Sequence, residues 1–199
     1  MSRKDKPVQG HPAEGSVITI SPLRTLDEVA AMRAAILNHP GPTTARDAAL
    51  FAVGVRTNLR ASDLLALRPT DIDWMTGLLT VRESKTKKVR HIPLSPDTIA
   101  LLAPLSGSEY LFPGHHSGKP MTISTLNHLV KLWAIRANLR EGTYGTRTLR
   151  KTWATIQVTV FKVPVYLISQ QLNHSSEAMT YRYLGIQTEQ VAELYARDI

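Results

Sequence analysis

Five groups in this 199-residue chain could between them handle a phosphodiester. Arg60 lies in "TNLRASDLLAL", Lys85 in "ESKTKKVRHIPL" and Arg150 in "RTLRKTWAT". His174 lies in "LNHSSEAMTYRYLGI", which also holds Tyr181 and Tyr183. Two arginines can grip a phosphate bidentately and offset the charge that develops when it is attacked. A lysine on a turn can deliver a proton to a leaving oxygen, and a histidine can hydrogen-bond a non-bridging oxygen or assist proton movement. A tyrosine near the arginines would have its ionised form favoured, which makes it a usable nucleophile. The carboxylates do not cluster as a hydrolytic nuclease's metal ligands would, so no metal or other cofactor is expected.

Each group also has a plainer explanation. Arg60 could be an exposed charge at a helix start. Lys85, Lys87, Lys88 and Arg90 could be a solvated hairpin edge that discourages strand pairing. Arg147, Arg150 and Lys151 could be a solvated helix face, although Thr148 and Thr152 beside them suit phosphate contacts. His174 could cap the next helix, but Ser175 and Ser176 are better caps. His115 and His116 resemble a metal pair that lacks a third ligand nearby. Tyr144, Tyr166, Tyr181 and Tyr195 read as packing or surface residues.

The elements that must hold these groups follow from hydrophobic spacing. "TLDEVAAMRAAILNH" has Leu26, Val29, Ala30, Met32, Ile36 and Leu37 at helical intervals, with Thr25 and Glu28 spaced as a capping box. "HPGP" ends that helix. The next, in "TTARDAALFAVGVRTN", is apolar all round from Ala48 to Val55 and is expected at the centre. A short helix from Ala61 to Leu67 is closed by Pro69. "IDWMTGLLTVRESKTKKVRHIPL" predicts a three-stranded antiparallel sheet, with turns at Met75–Gly77 and Lys85–Lys88. Further helices are expected near 96–104, 122–138, 148–160, 164–171, 176–184 and 188–197. The fold class expected is therefore mainly α with a small three-stranded antiparallel β-sheet (α+β). Arg60, Lys85, Arg150 and His174 each fall at an element boundary, where a side chain reaches a site while the scaffold stays rigid.

Composition narrows the function classes. A net charge of +8 suits a polyanionic partner. No apolar run is long enough for a membrane span, and the polar N-terminus lacks the apolar segment of a secretory signal. The absence of cysteine excludes disulfides and thiol chemistry. A cytoplasmic location without membrane association is the expectation.

Taken together, the four motifs resemble the catalytic domain of the tyrosine recombinase (phage integrase) family. The family's "TGLRxSELLxL" stretch is matched by "TNLRASDLLAL", its turn lysine by Lys85, its "HxLRHTFAT" box by "RTLRKTWAT", and its "LGHSS…TxxYLGI" ending by "LNHSSEAMTYRYLGI". The resemblance runs from about Thr25 to Thr188. It implies Tyr183 as a nucleophile that forms a 3′-phosphotyrosyl bond. It implies Arg60, Arg150, His174 and Arg147 as phosphate ligands, and Lys85 as the acid for the 5′-oxygen. It further implies double-stranded DNA as partner, a homotetramer on DNA, accessory DNA-bending proteins, a bacterial or phage-derived nucleoid location, and no need for metal or ATP. Residues 1–16 are expected as a disordered basic tail, 17–186 as the catalytic domain, and 187–199 as a C-terminal helix for protomer contact. Too few residues precede the first helix for the family's N-terminal DNA-gripping domain. The chain is thus either a fragment or a catalytic domain that works alone.

The chain departs from the family pattern at three positions. Arg147 replaces the first histidine of the HxxR box, Lys151 replaces the histidine that follows the box, and Asn58 replaces a glycine. Arginine can still donate to phosphate but cannot act as a base at neutral pH. Asn58 tolerates a left-handed turn better than most residues. The Arg147 departure motivates an alternative, a DNA-binding regulator of recombination sites with impaired catalysis. A type IB topoisomerase-like enzyme would share the same chemistry.

Overall fold

The computed structural model describes residues 20–115 and 118–185. The expected N-terminal tail (1–16) and the C-terminal helix (187–199) lie outside the described residues. Helix α1 spans Leu26–Leu37, and α2, Thr44–Thr57, packs against it. Thr25 caps α1 by accepting from the Glu28 backbone N–H at 3.1 Å. The Glu28 carboxylate returns to the backbone N–H of Arg24, one residue further out than a capping box would place it.

Helix α2 is the central element, with Ala48 to Gly54 all buried. Its apolar sequence requires neighbours on every side, and it packs on α3 (Ala61–Leu65), α4 (Pro96–Leu102) and α6 (Thr146–Thr159) as well as α1. Strands β1 (Ile72–Asp73), β2 (Leu78–Arg82) and β3 (Val89–Pro93) form an antiparallel sheet in that order, with Val81 opposite Arg90 and Arg82 opposite Val89. Leu79 and Val81 point into the core, while β3 alternates between exposed and half-buried residues. The remaining α-helices are α5 (Ile123–Arg136), α7 (Val165–Leu172) and α8 (Glu177–Leu184), and single 3-10 turns lie at Pro69–Asp71 and Ala103–Leu105. A second, smaller apolar cluster gathers Ala154, Ile168 and Leu172 around Trp153, Val158, Val163, Tyr183 and Leu184. It fastens α7 and α8 to α6.

Helix α6 begins at Thr146, two residues earlier than the sequence suggests. Extended Gly145 is its N-cap, and the Gly145 N–H donates to the Thr148 hydroxyl at 3.0 Å. The expectation that Thr148 and Thr152 serve phosphate is not met. Both are buried, and both bind the incoming chain instead: Thr148 donates to the Ser21 carbonyl at 2.9 Å, and Thr152 accepts from the Leu23 N–H at 2.9 Å. Lys151 joins them by donating to the Ile20 carbonyl at 3.0 Å. One face of α6 is therefore committed to a strap formed by residues 20–23, leaving another to carry Arg150.

The contact between α2 and α6 depends on Gly54. A Cβ built there would lie 2.6 Å from Leu149 Cδ1 and 3.2 Å from its Cβ. Gly54→Ala gains helix propensity yet forces the two helices apart, a net loss of about 1–3 kcal/mol. Thermal unfolding should show Tm lowered by about 2–4 °C for each kcal/mol lost.

Candidate active site

Asn58 ends α2 in the left-handed conformation, with φ 55° and ψ 26°. The reversal places Arg60 at the N-cap of α3 on extended backbone, where its side chain makes no capping bond. Arg150 lies one turn into α6 and donates Nη1 to the Asn58 carbonyl at 2.9 Å and Nη2 to the Leu172 carbonyl at 3.3 Å. Each carbonyl lies two residues before a predicted site residue, Arg60 in one case and His174 in the other. One guanidinium thereby ties together the two chain segments that carry its partners.

Helix α7 also ends in a left-handed asparagine, Asn173, with φ 57°. The turn presents His174 between α7 and α8, while Ser176 caps α8 as its residue type suggests. His174 Nδ1 lies 2.9 Å from the buried Thr180 hydroxyl. With Thr180 as donor, Nε2 carries the imidazole proton and is free to donate. Partial burial and then the Arg150 charge lower the His174 pKa below its usual value. The ring is therefore mostly neutral at pH 7.

Tyr183, on α8, stacks edge-on against His174, with ring centroids 5.4 Å apart. Lys151 Nζ lies 5.4 Å from the centre of the tyrosine ring. Burial pushes the Tyr183 phenol up to about 12, despite the opposing pull of Arg150, by charge and hydrogen bonding, and of Arg147. This corrects the expectation that the arginines leave the tyrosine readily ionised. In the protein alone, desolvation of the phenolate outweighs them. Arg147 is exposed in the first turn of α6, and Tyr181 is exposed on α8.

Lys85 is placed differently. It is exposed on the β2–β3 turn, which is itself held close to the other groups. The Ser84 N–H donates to buried Asp63 Oδ1 at 3.0 Å, and Lys88 Nζ donates to Asn173 Oδ1 at 2.7 Å. Buried Glu83 accepts from Arg60 at 2.8 Å, Arg90 at 3.3 Å and the Thr86 hydroxyl at 2.7 Å. Burial alone would raise the Glu83 pKa, but the Thr86 hydroxyl, Arg60 and Arg90 together leave it below the usual value. It is a carboxylate at neutral pH.

The structure thus gathers Arg60, Arg150, His174 and Tyr183 into one basic cluster, sets Arg147 beside Tyr183, and leaves Lys85 on an adjoining turn. Asp63 and Glu83 were missed by the motif reading. Their signals were positional: Asp63 lies one helical turn after Arg60, and Glu83 two residues before Lys85. Among the described residues no group of three or more His, Cys, Asp or Glu side chains could hold a metal ion, and no helix is long and apolar enough to cross a membrane.

Residues 24–190 match the phage integrase family. The chain is 31% identical over 180 residues to the probable integrase/recombinase YoeC of Bacillus subtilis (strain 168), covering 88% of this chain and 95% of that one. It is 27% identical over 175 residues to the tyrosine recombinase XerD of Yersinia pestis, covering 81% of this chain but 58% of XerD. Among solved structures, it superposes on the XerH recombinase bound to its difH substrate with a TM-score of 0.71 at 21% identity, over 88% of this chain and 53% of XerH. The catalytic domain of bacteriophage HP1 integrase gives a TM-score of 0.56 at 18% identity, over 90% of this chain and 95% of that domain. At these identities the structural likeness is one of fold, that of a tyrosine recombinase catalytic domain.

Proposed function

Because this chain belongs to the phage integrase family, we propose that it performs site-specific DNA recombination by cutting and rejoining strands through Tyr183. The single observation that carries this reading is the placing of Tyr183 against His174 and Arg150, with Arg60 two residues from the carbonyl that Arg150 grips. The Tyr183 oxygen attacks the scissile phosphorus and loses its proton to water. The bond from phosphorus to the 5′-oxygen breaks, and Lys85 supplies that oxygen with a proton. Arg60 and Arg150 neutralise the pentacoordinate phosphate, His174 donates Nε2–H to a non-bridging oxygen, and exposed Arg147 adds a third cationic donor. The 3′-phosphotyrosyl bond retains the energy of the phosphodiester, so a 5′-hydroxyl from another strand can reverse the step without ATP. The charges that stabilise the transition state belong to side chains, so the scheme assigns no step to a metal.

The partner in this reading is double-stranded DNA, engaged by a homotetramer that exchanges strands between two duplexes with accessory DNA-bending proteins, on the nucleoid of a bacterial host. Residues 187–199, whose sequence carries the apolar Val191, Leu194 and Tyr195, are assigned in this reading to protomer contact. If a chain lacking them still assembles on DNA in sedimentation, that assignment is wrong.

A suicide duplex, nicked so that the cleaved fragment diffuses away, tests the chemistry. Trapping of a covalent adduct that resists denaturant is the expected result. Binding without an adduct would instead support the regulator, a reading that Arg147 in place of histidine keeps in view.

A further inference from the structure

Buried Glu83 sits where two parts of the site meet, and the mechanism above assigns it no step. One of its oxygens, Oε2, accepts both from Arg60 Nη1 at 2.8 Å and from the Thr86 hydroxyl at 2.7 Å. The other, Oε1, accepts from Arg90 at 3.3 Å. Arg90 in turn points both Nη atoms at the α2 terminus, towards the Asn58 and Thr57 carbonyls at 3.5 and 3.4 Å. Glu83 also closes the turn through its backbone, accepting from the Lys87 N–H and donating to the Lys88 carbonyl, both at 2.9 Å. Lys85 lies inside this loop, between Ser84 and Thr86.

We propose that Glu83 is a positioning residue that joins the Lys85 turn to Arg60, so that the leaving-group acid and the phosphate clamp are set as one unit. The inference rests on the roles given above to Arg60 and Lys85. Its physical basis is the sharing of one carboxylate oxygen. Any displacement of Arg60 alters the acceptor that fixes Thr86, and the adjoining Lys85 moves with it. The Asp63 bond to the Ser84 N–H fixes the base of the turn but has no direct link to Arg60. The Lys88 bond to Asn173 ties the turn to the His174 segment instead. Among the described residues, Glu83 alone bonds both a turn side chain and an arginine of the site.

A purely structural ion pair would make a different prediction. Losing it would weaken the fold and slow every substrate equally. Coupling to Lys85 predicts a loss that depends on how much protonation the leaving group requires.

The test compares two suicide duplexes, one with the natural 5′-oxygen at the scissile phosphate and one with a bridging 5′-sulfur. Sulfur departs as a stable thiolate and needs no proton from Lys85. Glu83→Gln keeps the shape and removes the charge. Thr86→Val removes the link to Glu83, together with the longer 3.4 Å bond that the hydroxyl accepts from the Lys88 N–H, at a half-buried position of the turn. With the oxygen duplex, Glu83→Gln should form adduct about 10- to 100-fold more slowly, the range for losing hydrogen bonds to a charged group. Thr86→Val should slow it about 5- to 10-fold, as for one hydrogen bond. With the sulfur duplex, Thr86→Val should match wild type, and Glu83→Gln should retain only the part of its loss that comes from Arg60.

Lys85→Ala is the reference, expected to be slow on oxygen and restored by sulfur. If Lys85→Ala behaves so while Thr86→Val shows no loss, or equal losses on both duplexes, the coupling through Glu83 is overturned and the role of Lys85 stands. If sulfur fails to restore Lys85→Ala, Lys85 is not the acid, and the inference falls with that reading.

Discussion

Tyr183→Phe is expected to remove the covalent protein–DNA adduct altogether, a loss of at least about 10⁴-fold, while the duplex binds as before. Phenylalanine keeps the ring that packs edge-on against His174, lies near Lys151 and contributes to the apolar cluster of α6, α7 and α8. Only the hydroxyl is lost, so the variant separates chemistry from folding. Tyr181→Phe provides the contrast. Two residues apart on a helix, the side chains diverge by about 200°, and Tyr181 is exposed. That variant should form adduct within about twofold of wild type, as surface substitutions usually do. Equal adduct yields from Tyr183→Phe and wild type would eliminate Tyr183 as nucleophile.

The same residue sets the pH dependence. With the phenol pushed up to about 12 by burial, roughly one molecule in 10⁵ carries the phenolate at pH 7. A raised acid pKa means that the reactive form becomes commoner as pH rises. Adduct formation should therefore accelerate between pH 6 and 9, by at most about tenfold per unit. His174 is a neutral donor from pH 7 upward, its pKa lowered by partial burial and then by the Arg150 charge. A single-turnover rate that falls with rising pH would contradict this account of the nucleophile.

Arg150→Lys should have the second-largest effect, slowing adduct formation by about 10²–10³-fold although the charge is kept, the range seen when one preorganised donor is removed. The reason is geometric. Arg150 uses its planar fork to hold two backbone carbonyls, those of Asn58 and Leu172, from two different nitrogens. It also lies against the Tyr183 phenol. An ammonium is a point charge that cannot span those acceptors. The variant should also unfold more easily, by about 1.5–3 kcal/mol for hydrogen bonds from a charged donor. Quench-flow cleavage measured beside denaturant unfolding reads both effects. Wild-type cleavage by Arg150→Lys would show that the site needs only positive charge at this position.

Much of the scaffold was legible without coordinates, because local rules decide it. The apolar run from Ala48 to Val55 demanded a central helix, and α2 is the element that most of the fold packs around. The β-branched residues and the turns at Met75–Gly77 and Lys85–Lys88 pointed to the three-stranded sheet that the structure shows. Asn58 was expected to tolerate a left-handed turn and does adopt one. The resemblance to the tyrosine recombinase motifs nominated Arg60, Lys85, Arg147, Arg150, His174 and Tyr183. Nomination extends to identity but not to environment.

What the sequence by itself determined is therefore, among the described residues, the α-helices to within about two residues at each end, the three-stranded sheet, and the residue types available for chemistry. Those depend on periodicity, capping and turn preference, which act over a few neighbouring residues. The tertiary structure alone decided where each side chain spends its hydrogen bonds. Thr148 and Thr152 looked suited to phosphate, yet the strap at residues 20–23 claims them from more than 120 positions away in the chain. Glu83, which no motif singled out, bonds both Arg60 and the Thr86 hydroxyl of the hairpin. Tyr183 looked activated by neighbouring charge, and it rests as a half-buried phenol whose pKa is pushed up by desolvation. Desolvation and long-range hydrogen bonding depend on which segments the fold brings together, and no local window of residues contains that information.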